Sequence, residues 1–153
     1  MAVQAISGSN LVLSMDQSDN PAGGSQVFVL IGGSSSCTVN ISQETIDTTS
    51  KDSGGRKTFI NGATSWTMDC EAFFTDGTGT GEGETVRPST LFTALDGGYR
   101  VAVKFYNSAG QTDAKKYFGW GYITSLSVNA AVSEWSTYSI SIQGDGRLEQ
   151  QNT

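Results

Sequence analysis

Six stretches of this chain alternate apolar and polar residues with a period of two, and that period decides the fold class. Leu11, Leu13 and Met15 alternate with Val12 and Ser14. Cys37, Val39 and Ile41 alternate with Thr38, Asn40 and Ser42, and Trp66, Met68, Cys70 and Ala72 with Thr67, Asp69 and Glu71. Val101, Val103 and Phe105, then Leu126 and Val128, then Tyr138, Ile140 and Ile142, repeat the pattern. Successive side chains of a strand point to opposite faces, so each stretch presents one apolar and one hydrophilic face. Such strands build sheets with one side against a core. A seventh segment, QVFVLIGG (26–33), is short, apolar, β-branched and closed by glycines.

The chain has 153 residues, the length of one domain. A domain of that size buries about 70% of the surface its unfolded chain exposes, so it needs no metal or disulfide to hold a core. Hydrophobic residues make up only 37%, which suits short strands and turns better than a helical bundle. The net charge is −6 and there is no histidine. Gripping phosphate backbones needs clustered Lys and Arg, so this balance argues against nucleic-acid binding. The start, MAVQAISGSN, has neither a basic nor an apolar leader region. The longest apolar run, 27–31, is far too short to span a bilayer. The expectation is a chain folded in cytoplasm, with Cys37 and Cys70 as reduced, buried thiols.

One helix is expected within VRPSTLFTALDGG (86–98). Pro88 or Ser89 suits its start and Gly97 its stop, and Leu91, Phe92 and Leu95 make its apolar face. Before it, 76–85 reads as a flexible, acidic, glycine-rich loop. It lacks the EF-hand pattern, so no metal is assigned. Residues 1–9 read as an N-terminal arm and 144–153 as a C-terminal tail.

Catalytic motifs are missing. No histidine means no Ser-His-Asp or Cys-His pair. There is no GxSxG elbow and no GxxxxGK[ST] loop. Asp69 and Glu71 share a strand face, and a cleft that raised one pKa would make them an acid/base pair. As solvated surface charges they need no such role. Trp66, Trp120 and Trp135 would stack sugars if they lay together in a groove; singly, strand tryptophans pack cores. No catalytic residue, cofactor or metal is assigned, and an enzyme is not expected.

The segment 44–60 is different. It begins as an alternating strand and ends in a polar run of balanced charge, with no apolar stretch to fold back on a core. Within a compact domain such a run is a mobile loop or a surface that meets another protein. The second reading assigns contacts to Glu44, Ile46, Asp47, Lys51, Asp52, Arg56, Lys57 and Phe59. Ile46, Phe59 and Ile60 would be its apolar anchors.

Three segments carry a resemblance: CTVNISQETIDTTSKDSGG (37–55), SWTMDCEAFF (65–74) and GYITSLSVNAAVSEWSTYSISIQGDGRLE (121–149). In that order they resemble the major tail tube protein of long-tailed, siphophage-type bacteriophages. The resemblance implies an all-β fold with one flanking helix, a β-sandwich or partly rolled barrel. It implies six-membered rings stacked into a hollow tube, with neighbouring sheets joined edge to edge around a channel for DNA ejection. A long loop, with the termini, would contact the next subunit or ring. Partners implied are further copies of the chain, a tape measure protein, a tail terminator and distal tail proteins. The location implied is the virion tail, assembled in the host bacterial cytoplasm. The polar face Thr38, Asn40, Ser42, Thr67, Asp69 and Glu71 would then line a wet lumen that passes DNA without binding it. Alternatives are the tube protein of a related injection system and a carbohydrate-binding β-sandwich.

Overall fold

The computed structural model describes residues 11–16, 28–31, 34–73, 88–107, 115–130, 132 and 134–152. The N-terminal arm 1–9 and the acidic loop 76–85 lie outside them. The described strands are β1 (Leu11–Asp16), β2 (Phe28–Leu30), β3 (Ser34–Asp47), β4 (Phe59–Phe73), β5 (Arg100–Asn107), β6 (Lys115–Asn129) and β7 (Thr137–Asn152), with α1 (Pro88–Asp96) between β4 and β5. They form one seven-stranded sheet in the order β2-β1-β5-β6-β7-β4-β3. Every ladder is antiparallel. β1 also approaches β3, which is not its ladder partner. The sheet therefore curls on itself, the partly rolled form that the resemblance implies.

The concave face holds the core. Met15 of β1, Trp66, Met68, Cys70 and Ala72 of β4, Val101 and Val103 of β5, Ile123 of β6, and Tyr138, Ile140 and Ile142 of β7 are all buried there. All but Ile123, which a register shift separates from Leu126 and Val128, are apolar members of the alternating stretches, so the two-residue period carries into the packing. α1 closes the roll against β6. Pro88 opens it and its last carbonyls are capped by the turn that follows, with Tyr99 N–H donating to Ala94 O at 2.9 Å. The helix buries Pro88, Leu91 and Ala94, while Phe92 is exposed. The expected face of Leu91, Phe92 and Leu95 is thus corrected by one position. Spacing of three to four residues from Leu91 reaches Ala94 and Leu95, and Phe92 lies 100° round the helix.

Trp66 is the largest buried side chain of the core, and glycines make room for it. A Cβ on Gly144 would run into its indole, and a Cβ on Gly119 would meet both the indole and Leu148. The indole N–H donates to Gly146 O at 3.1 Å, and Gln143 Nε2 donates to Trp66 O at 3.3 Å. Beside this cradle β7 is bulged: Phe118 pairs with Glu149, but Trp120 pairs with Asp145. Three residues of β7, 146–148, face one of β6, so β7 carries two extra residues. The bulge turns the Gly146 carbonyl onto the indole, which satisfies a polar atom that burial would otherwise leave unpaired.

Two expectations are corrected. Cys37 and Cys70 are directly opposite Cα partners across β3 and β4 and are joined as a disulfide. They are 33 residues apart in sequence, and only the strand register brings them together. The segment expected as a tail, 144–153, continues β7 through Asn152 and pairs with the start of β6. The rule of one hydrophilic face also fails locally. On the convex side of β1, β5 and β6, Ala102 and Ser14 are buried. Lys104 sits 3.8 Å from the Phe28 ring centroid, Phe28 meets Phe118 edge-on at 6.0 Å, and Phe118 meets Trp120 likewise at 6.1 Å. Arg100 lies 5.0 Å over Trp120 and pairs with Asp145 at 2.9 Å. This half of the sheet is covered on both faces. Burial, then the charge of Lys116, pushes the Lys104 ammonium below its usual value.

Two outcomes follow. Trp66→Ala should destabilise the protein by about 3–5 kcal/mol, and Gly144→Ala by about 1–3 kcal/mol through overpacking. In the Trp66→Ala background Gly144→Ala should cost almost nothing; additive costs in chemical denaturation would show that the glycine is not there for the indole. Burial also raises the Tyr138 phenol to about 12. Its unfolded value is about 10, so the stability it contributes is complete below pH 10 and is lost as pH rises towards 12. A melting profile over that window should be steeper for the natural protein than for Tyr138→Phe. Equal slopes would discard the assignment.

Candidate functional site

β3 and β4 outrun the core. Burial on β4 begins at Trp66, yet the strand starts seven residues earlier at Phe59. Pairing continues out along this extension, through Thr45–Asn61, Ile46–Ile60 and Asp47–Phe59. The segment 44–60 is therefore a hairpin arm with a structured tip. Its strand character was legible in Ile46, Phe59 and Ile60, but the polar tip masked it.

The tip is built by local hydrogen bonds. Thr48 N–H donates to Thr58 O at 2.8 Å, and Thr49 N–H to Asp47 Oδ1 at 2.9 Å. Thr58 N–H donates to Thr49 Oγ1 at 3.1 Å, and Ser50 N–H to Ser53 Oγ at 3.0 Å. A single 3-10 turn, Lys51–Ser53, is followed by Gly54 and Gly55 with φ of 61° and 78°. That left-handed pair reverses the chain at no steric cost. The Thr49 hydroxyl and then its backbone N–H hold the Asp47 carboxyl below its usual value. The aspartate is thus a turn-former, the role of aspartate in tight turns generally.

Almost nothing on the arm is covered. Glu44, Asp47, Lys51, Asp52, Arg56 and Lys57 are exposed, and Ile46, Phe59 and Ile60 are half exposed. Ile46 and Ile60 share one face of the arm and Phe59 shares the other with Asp47. The expected anchors therefore divide between two faces. Among the described residues the single ion pair is Arg100–Asp145, so the arm's charges have no ion-pair partner among them. An isolated two-stranded hairpin is marginal in water, and open apolar pairs along it favour a partner surface.

The six polar positions on β3 and β4 do come together. Thr38 faces Asp69 and Asn40 faces Thr67 across the ladder, with Ser36 opposite Glu71. Ser42 meets Ser65 at 2.9 Å between hydroxyls. The row extends onto β7, where Ser139, Ser141 and Gln143 pair with Glu71, Asp69 and Thr67. Ser141 Oγ donates to Asp69 Oδ1 at 2.6 Å. The result is a continuous convex face of hydroxyls and amides with two carboxylates and no cation. β3 borders it and, among the described residues, ladders only with β4, so the other edge of this 14-residue strand has no described partner.

The other candidate sites do not assemble. Asp69 and Glu71 lie on this open face, not in a cleft. Trp66 is in the core, Trp120 is on the opposite face and Trp135 is in the β6–β7 connection, so the three form no shared platform. Among the described residues no three His, Cys, Asp or Glu side chains are grouped to hold a metal ion. Among the described residues no helix is long and apolar enough to cross a membrane.

Comparisons with known proteins agree on one class. The family model of the phage tail tube protein matches residues 5–150. No curated protein matches the chain. Among solved structures, a chain from the virion of a native gene transfer agent particle aligns with a TM-score of 0.73 at 17% identity, covering 96% of this chain and 99% of that one. A chain from the tail of the empty gene transfer agent particle, refined with C6 symmetry, aligns at 0.71 and 19% identity with the same coverage, 96% and 99%. The SPP1 tail tube protein aligns at 0.73 and 16% identity, covering 97% of this chain and 80% of that one.

Proposed function

We propose, given that this chain belongs to the phage tail tube protein family, that six copies close into a ring and that rings stack into the channel of a virion tail. The chain is a structural tube protein of the virion tail, as its family and its fold relatives indicate. The ring number is supported by the C6 symmetry of the related gene transfer agent tail. The β3 edge that has no described partner supports closure by strand addition, because a long unpaired edge in a soluble protein invites pairing.

The arm is the observation that carries the stacking reading. It holds three half-exposed apolar side chains and six charges beyond the reach of the core. Its charges set register and its apolar pairs supply contact area. The polar convex face is assigned to the lumen. DNA must slide past it, and a wall with Asp69, Glu71 and neutral hydrogen-bonding groups repels phosphates without gripping bases. On this reading the tube guides DNA ejection, performs no catalysis and is assembled in the host bacterial cytoplasm. A tape measure protein, a tail terminator and distal tail proteins are its expected partners.

Negative-stain electron microscopy of the purified protein tests the assembly. The natural chain should form hollow tubes, and deletion of 48–55 should leave a folded protein, by circular dichroism, that makes none. Normal tubes from the deletion would reject the arm as the stacking element. The lumen assignment has its own check. In intact tubes, Asn40→Cys should react with a small maleimide but resist a maleimide coupled to a carrier protein. Equal reaction with both would put that face outside.

A further inference from the structure

The end of the sheet opposite the arm carries a second unpartnered apolar feature. β4 spans 15 residues, roughly 50 Å at the rise of a strand. The arm tip is at its start. At its far end Phe73 pairs with Thr137, and Thr137 with Asn129, so residues 130, 132 and 134–136 of the β6–β7 connection lie at that end. Trp135 there is 84% exposed and Val132 is fully exposed. Tryptophan is seldom left so open on a monomer's surface and is the residue most enriched among binding hot spots. Among the described residues Trp135 makes no ring contact.

The two ends are complementary. The tip 47–58 carries Lys51, Arg56 and Lys57 against Asp47 and Asp52, and the Asp47 carboxylate is turned to the Thr49 N–H, so outward the tip presents three cations against Asp52. The far end carries Glu134 beside Trp135, and Glu71 two residues before Phe73, with no Lys or Arg in 126–139 or 65–73. A cationic tip flanked by half-exposed Ile46, Ile60 and Phe59 at one end, and an acidic end with exposed Trp135 and Val132 at the other, are what a head-to-tail contact between identical chains requires. Such a contact does not close on itself and so propagates along an axis.

We propose that the β6–β7 connection, through Trp135 and Val132, is the socket that receives the arm of a second copy of this chain. This rests on the stacking role given to the arm and names the surface that the arm meets. Trp135 packs against the arm's isoleucines or Phe59, and Glu134 faces the cationic tip.

The test uses full-length Trp135→Asp beside the natural chain and the 48–55 deletion. Trp135→Asp should keep the natural circular dichroism spectrum, because the side chain is outside the core. Its critical concentration for tube growth should rise at least about 30-fold, the loss of one hot-spot residue. At the concentration where the natural chain just forms tubes, neither variant should stack alone. Mixed, the intact arm of Trp135→Asp meets the intact socket of the deletion, and particles twice as tall should appear by electron microscopy and sedimentation. They should grow no further. Normal tubes from Trp135→Asp, or no pairing in the mixture, would overturn the socket while leaving the arm's stacking role standing. Normal tubes from the deletion would overturn both.

Discussion

The seat of Trp66 among glycines is the constraint on which the rest of the structure depends. Three strands meet there: the indole rises from β4, Gly119 of β6 and Gly144 of β7 yield it space, and the Gly146 carbonyl accepts its N–H. A side chain of that size burying itself against backbone fixes the register of all three strands at once. A slip of one residue would put the polar faces of β4 and β7 into the core. The bulge in β7 is the cost of the arrangement, and it lets the strand run on past the core to Asn152.

Trp66 is also the boundary between two kinds of structure. On its far side β4 is buried at every second residue. Towards the arm, from Phe59 to Ser65, the same strand is covered almost nowhere. The Cys37–Cys70 disulfide crosses β3 and β4 within the packed region, and the arm leaves from the other side of the indole. A rigid sheet thus carries a projection that is ordered by its own turn and not by a core. That division of labour suits a building block, in which the fold supplies stiffness and the projection supplies contacts.

The two surfaces of the sheet are likewise divided. The convex side of β3, β4 and β7 is a row of hydroxyls, amides and two carboxylates, whereas the convex side of β1, β5 and β6 is covered by Phe28, Lys104, Phe118, Trp120 and Arg100. One half is suited to water and the other is a second, thin layer of packing. In a ring this would let one half of each subunit face a channel while the other supports it from behind.

The two-residue period of the sequence determined the strands, the apolar face of each and most of the core, because alternation along a strand is a local property. Pro88 and Gly97 likewise bounded α1, since capping is local too. The polar set from Thr38 to Glu71 was legible as one face, for the same reason. Only the tertiary structure decided what opposes what. It paired Cys37 with Cys70 where reduced thiols were expected, replaced Phe92 by Ala94 on the buried helix face, and made a hairpin of the polar run at 44–60. It buried Ala102 and Ser14 on a face that alternation calls hydrophilic, and it left Trp135 in the open. Each of these depends on register or on the curl of the sheet, which are set by packing between strands distant in the chain and have no signature within any one of them.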